Sequence, residues 1–301
     1  MWSLGLKKAI RAIDILTFSF LIFLLVMTLI NLGEIPRVEI LIIIYTTLIA
    51  VLSLLVYLRR RSNGIFLRLI NDIIFPVIMV FLVFDSLSGL IQYINPATYD
   101  HLLIRIDYLI CGCYPTVEAE GITTPLVTEL LQFAYISYYF LPLVLALALK
   151  IKGKEREFDI SLFLIILCFF ISYIGYILVP AIGPRYTMYH LQSIELKGVL
   201  LRDEIDRFLN ALEGIKRDAF PSGHSGIALL ILYLSYRFSR RLFYILLPIV
   251  IALILSTVYL RYHYLIDVIG GILLFLITVA AGERLYLCWE GGRFGKEDIR
   301  V

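Results

Sequence analysis

Four histidines occur among the 301 residues, and two of them, His224 and His263, stand beside residue types that phosphorus chemistry uses. The first lies in Pro221-Ser222-Gly223-His224. Proline followed by serine is a helix-start signal, and Ser222 can cap the first turn. A helix amino terminus offers N–H groups and the positive end of a dipole, a ready seat for a phosphate. Gly223 lets an anion come close to the backbone. His224 then stands in the first turn, next to that anion. An ordinary capped helix with a small-residue packing face accounts for everything in this stretch except the histidine. The second lies in Leu260-Arg261-Tyr262-His263-Tyr264-Leu265-Ile266-Asp267. His263 and Asp267, four residues apart, are expected on one face of a helix. There the carboxylate would accept the Nδ1–H of the imidazole and leave Nε2 as a lone pair, which is how an activated nucleophile is oriented. The competing reading is a structural ion pair.

A third stretch, Ile182-Gly183-Pro184-Arg185-Tyr186, supplies a guanidinium, whose fork binds two phosphate oxygens at once. Taken alone, such an arginine at a membrane surface is a snorkelling anchor. Arg261 is a second candidate cation. On a regular helix it would point about 200° away from His263, so it reaches the same site only if residues 260–262 form a corner. The set therefore reads as His263 nucleophile, His224 acid, Asp267 orienting group, with Arg185, Ser222, Gly223 and Arg261 around a phosphate.

These residues must be positioned by helices in lipid. The chain is 60% hydrophobic and 17% charged, with a mean hydropathy of +0.90, where a soluble domain is about half apolar and about a quarter charged. Continuous, non-alternating apolar runs long enough to cross a bilayer predict helices. Eight spans are expected, at about 13–32, 39–58, 71–93, 126–149, 159–180, 222–237, 241–260 and 263–283. The fold class is thus an all-α polytopic membrane bundle. Basic residues cluster on one side: Lys7, Lys8 and Arg11; Arg59, Arg60, Arg61 and Arg68; Lys150, Lys152, Lys154 and Arg156; Arg237, Arg240 and Arg241; and the tail Arg284, Arg293, Lys296 and Arg300. By the positive-inside rule both termini are cytoplasmic. Loops 32–38, 94–125 and 181–221 and the 260–263 corner, and with them the candidate site, face outside a cell membrane. A net charge of +3 with no basic run argues against nucleic acid. Segment 97–113 has apolar positions at helical spacing and reads as a helix lying in the outer interface. Asp85 and Asp107 read as interhelical partners. Cys111 and Cys113 read as free thiols. Tyr135, Tyr138 and Tyr139, near Glu129 and Gln132, read mostly as interfacial belt.

The three stretches together resemble the type 2 phosphatidic acid phosphatase superfamily over roughly residues 71–283. Its motifs are an arginine beside proline, a Pro-Ser-Gly-His, and a Ser-Arg followed by a histidine with an aspartate four residues on. The wording around His263, with Gly270-Gly271, is similar to the branch that includes inositol phosphorylceramide synthases. Two departures are clear: the lysine seven residues before the first arginine is Leu178 here, and the arginine six residues before the third-motif histidine is Thr257. The resemblance implies residues 1–70 as two added helices, 71–283 as a six-helix catalytic core, and 284–301 as a cytoplasmic tail. It implies a phosphohistidine on His263 and a lipid phosphate substrate among membrane lipids; the sequence offers no cluster of carboxylates or histidines outside the lipid to hold a catalytic metal, so no metal and no cofactor is expected. Phosphatidate, lysophosphatidate, sphingoid phosphates and polyprenyl diphosphates all qualify as substrate. Water would resolve the intermediate in a phosphatase, an alcohol in a phosphotransferase. A transporter and an inactive lipid-binding relative are the rival readings. No oligomeric state is indicated.

Overall fold

The computed structural model describes residues 10–62, 64–213 and 217–290. Lys7, Lys8, Arg293, Lys296 and Arg300 of the orientation argument lie outside them, as does most of the 284–301 tail. The helices that matter here are α1 (Ala12–Ile30), α2 (Val38–Arg61), α3 (Ile65–Ser88), α4 (Asp100–Cys111), α5 (Pro125–Ile136), α6 (Leu141–Ile151), α7 (Glu155–Leu178), α8 (Arg202–Glu213), α9 (Gly223–Phe238), α10 (Arg240–Tyr259) and α11 (Leu265–Glu290). No strand occurs among the described residues. The chain is an all-α helical membrane bundle.

Six helices, α1, α2, α3, α7, α10 and α11, are long and apolar enough to cross a membrane. The other two expected spans take different forms. The fourth is a bent pair, Pro125–Tyr139 and Leu141–Ile151, meeting at 54°. Pro142 has no N–H to return to the carbonyl one turn earlier, and the chain passes through a 3₁₀ turn at Ser137–Tyr139. The sixth, α9, has 16 residues, about 24 Å of helix, short of a full crossing. α7 is the central post. Its apolar residues run all round it and most of its length is buried, whereas the other long helices bury less than half. α3, α6, α9, α11 and α1 pack on it.

The amino-terminal pair joins the same hydrophobic core as the rest. Phe20 of α1 stacks on Phe170 of α7 at 3.9 Å. At the side where the basic runs gather, Arg11 meets Asp72 at 2.6 Å, Lys150 meets Asp72 at 2.8 Å, and Arg59 meets Asp14 at 2.7 Å. The Ala12 N–H donates to Glu290 at 2.7 Å. Asp72 lies in a π-helical stretch, Ile70–Ile74. Pro76, four residues on, cannot donate to the Asp72 carbonyl, and the register slips by one.

Candidate active site

Four pieces of chain meet at the opposite end of the bundle. The α10–α11 corner is a helix stop followed closely by a helix start. Arg261 takes a left-handed conformation (φ 65°), the Leu260 N–H donates to Ser256, and the N–H groups of Tyr262 and His263 both donate to the Thr257 carbonyl. His263 is therefore in the corner and not on α11, which begins at Leu265. The expectation that His263 and Asp267 share a helix face is corrected by this early stop. The second piece is the start of α9, where Ser222 accepts the Ser225 N–H at 3.2 Å. Its own N–H donates to the Asp267 carbonyl at 2.9 Å, so that amide ties α9 to α11 and does not face a ligand. The third is Ala181–Thr187, in which Gly183 has φ 101°, and a Cβ there would meet the Tyr262 carbonyl at 2.8 Å.

α4 is the fourth, and it holds the other pieces in place. Asp100 accepts the N–H groups of Ile182 (3.0 Å) and Gly183 (2.9 Å) and the Tyr264 hydroxyl (2.9 Å). Asp107 accepts the N–H groups of Leu265 (2.8 Å) and Ile266 (2.7 Å), capping α11 from across the chain. Burial pushes the Asp107 carboxyl up, against the pull of these two bonds. α4 is a helix within the predicted 97–113, and Asp107 serves as the interhelical partner it was read to be.

Nε2 of His263 lies 3.5 Å from Nδ1 of His224, the outer limit of a hydrogen bond. Nδ1 of His263 lies 2.8 Å from the Ala219 carbonyl and 3.4 Å from Oδ2 of Asp267. A carbonyl only accepts, so Nδ1 carries a proton, and in the neutral ring Nε2 keeps the lone pair. The tautomer is the expected one, but the nearer orienting atom is main chain. Asp267, fully buried, is second in distance and also accepts the Tyr264 N–H at 2.8 Å. His224 lies between Tyr135 (4.5 Å between ring centres) and Tyr138 (4.1 Å). Those tyrosines are thus ring partners of a candidate catalytic residue, beyond the belt role read from sequence.

Arg185 faces the same cavity as both histidines. Its guanidinium is engaged by Asp206 of α8 at 2.8 Å and Asn210 at 3.0 Å. Tyr262 donates to Asp206 at 3.2 Å, and Leu209 of α8 is buried beside Tyr135 and Tyr259. α8 is a roof over the site. Glu129 anchors its approach by accepting the N–H groups of Val199 (2.8 Å) and Leu201 (2.7 Å). Arg261 is not brought to the histidines. Residues 260–262 do form a corner, yet the side chain pairs with Glu120 at 2.8 Å and donates to the Ile194 carbonyl at 2.7 Å. Burial opposes the Glu120 charge, but bonds from Ser193 and the Arg261 charge hold its carboxyl below the usual value near 4.5. At the two departures, Leu178 is exposed and Thr257 is buried with its hydroxyl on Ile254.

Ala219, Asp100 and Asp206 are the site-building residues that spacing did not reveal. A main-chain carbonyl leaves no mark in a sequence, and the two aspartates stand 82 or more and 21 residues from the groups they hold. A cavity of about 370 Å³ opens below the histidines. The family model described as PAP2 superfamily matches residues 116–281, a stretch that contains Arg185, Ser222–His224 and Arg261–Asp267 and leaves α1 to α4 outside. No curated protein and no solved structure matches the chain.

Proposed function

Because the chain belongs to the PAP2 superfamily, we propose that it is a lipid phosphate phosphatase working through a phosphohistidine on His263. Nε2 attacks phosphorus, the P–N bond forms, and the bond to the lipid oxygen breaks. His224 gives that oxygen its proton and then, as base, takes one from the water that releases phosphate. Asp267 and the Ala219 carbonyl stabilise the charged His263 ring. Arg185 exchanges Asp206 for the phosphate's equatorial oxygens, with the first-turn backbone at Gly223 beside them. The observation that carries the reading is the His263–His224 approach at 3.5 Å with Nε2 left as the lone pair. At that separation a phosphoryl group does not fit between the rings. Binding must swing His224 along the faces of Tyr135 and Tyr138.

An alcohol in place of water would make the same site a phosphotransferase. The α8 roof, which leaves the Arg185 side chain only 26% exposed, favours that second reading. In either case the substrate is a lipid phosphate reached from the extracytoplasmic leaflet, and no metal takes part. The test is phosphate release from a panel of lipid phosphates in detergent, with and without EDTA and an added alcohol. His263→Ala should lower kcat by about 10³-fold or more, the scale of losing a nucleophile, and should abolish protein-bound, acid-labile phosphate. Release that survives the substitution rejects the assignment, and release lost to EDTA rejects metal independence.

A further inference from the structure

The cavity under the histidines does not stop at headgroup depth. Its lining runs along α7 from Tyr176 near the site to Phe158, about 27 Å of helix axis at 1.5 Å per residue, against roughly 30 Å for a whole hydrocarbon core. Along α3 it runs from Phe84 to Asp72, about 18 Å. Between the ends the walls are apolar, among them Val80, Leu143, Ala146, Ile165 and Phe169. α3 packs on α7, and α6 packs on α7 and α9, which leaves the cleft between α3 and α6 as the cavity's side. The far end is different in kind. Asp72 closes it, held by Arg11 just before α1 and Lys150 of α6, and the Lys150 ammonium lies 4.1 Å from the centre of the Phe158 ring.

We propose that this cavity takes one hydrocarbon chain of the lipid phosphate, with the ionic cluster as a floor that limits its length. The proposal rests on reading the histidine pair as the phosphoryl site, because it is continuity with that site that names the occupant. An apolar chain gains free energy with every methylene moved along apolar walls. It gains nothing by reaching Asp72, Arg11 and Lys150, since passing them would part buried charges from their partners. The family-matched residues 116–281 do not include Asp72 or Arg11. Of the floor, Lys150 lies in the matched stretch, Asp72 comes from α3, and only Arg11 comes from the chain before it.

The test uses the full-length protein in detergent and a graded series of n-alkyl monophosphates, from chains too short to reach the floor to chains longer than the cavity. Wild type should show kcat/KM rising with length and then levelling or falling at one cut-off. Two variants fill the cavity at different depths. Ala146→Phe lies about 6 Å of helix from Lys150, and Val80→Trp about 12 Å from Asp72. The ratio of kcat/KM for the longest productive chain to that for the shortest should drop by about ten-fold or more, the scale of forcing a bulky group against a packed wall. The cut-off should move to shorter chains in Ala146→Phe and to still shorter ones in Val80→Trp. An unchanged cut-off in both would place the chain in the bilayer and overturn the proposal. Equilibrium binding of the same series, read without turnover, keeps the two claims separable. A length cut-off in binding with no turnover by any variant sinks the phosphatase reading and leaves the cavity's occupant standing. Turnover with no cut-off in either measurement sinks the occupant alone.

Discussion

Nδ1 of His263 donates to a main-chain carbonyl at 2.8 Å while Asp267 waits at 3.4 Å, and this order of distances has a kinetic consequence. Where a carboxylate alone sets a catalytic tautomer, replacing it by the amide costs about 10⁴ in kcat. Here Asp267→Asn should cost far less, about 10- to 100-fold, because Ala219 still fixes the tautomer and the amide oxygen can still accept the Tyr264 N–H. A loss as large as that of His263→Ala would show that the carboxylate, not the carbonyl, orients the ring. Both histidines and Arg185 could be read from sequence because their side chains are rare in lipid and carry chemistry. Ala219 could not, since every residue offers the same carbonyl. Arg261 illustrates the converse: its type fits a phosphate site, but a partner 141 positions away claims it. That partner gives a pH dependence. The Glu120 carboxyl is held below its ordinary value near 4.5. Its contribution to stability is therefore complete above about that pH and is lost as pH falls through the lower folded value. Thermal unfolding in detergent from pH 6 to pH 3 should show this slope, and Glu120→Gln should flatten it.

Helices rather than residues decide how the two imidazoles are spaced. A Cβ on Gly271 of α11 would meet the Ser222 carbonyl at 2.6 Å, and one on Gly270 would meet the Phe220 ring at 2.8 Å. Gly271→Val should thus push α9 from α11, at about 1–3 kcal/mol for overpacking, with kcat falling more than stability because His224 moves with α9. Unchanged phosphate release in a stably folded Gly271→Val protein would show that the spacing is set elsewhere. α11 is also capped from α4. Asp107→Ala removes acceptors from two first-turn N–H groups, so a loss of about 1 kcal/mol or more is expected, read as a lower Tm together with a lower kcat. The existence of α4 and of the long spans was legible, because apolar periodicity is a local property. The 54° break before Pro142 and the π-helical slip before Pro76 were not. A proline announces a missing donor, and only packing decides whether the helix bends, slips or continues.

Across the whole molecule, charge gathers at the two ends of one bundle, and the ends are built differently. The cluster at the end away from the histidines joins α1, α2, α3, α6 and α11 through Arg11, Arg59, Asp72, Lys150 and Glu290. Removing Arg11 takes one of two cations from Asp72 and leaves Lys150, at about 1.5–3 kcal/mol for the charged hydrogen bond lost. Arg11→Ala should accordingly lower Tm, whereas truncating an exposed arginine such as Arg207 should not move it. The histidine end is tied mostly by carboxylates that accept main-chain N–H groups, Asp100 and Asp107 among them. Its histidines sit where α9 and α11 touch backbone to backbone through Gly271, while Arg185 hangs from a roof held by side chains. These two kinds of attachment divide the labour of change. Backbone contact fixes the pieces that carry the two histidines, and such a fixed part tolerates little drift in sequence. Side-chain fastenings at the roof can be re-cut one residue at a time. New headgroup tastes, if this scaffold acquires them, should be written in α8 and not in α9 or the α10–α11 corner.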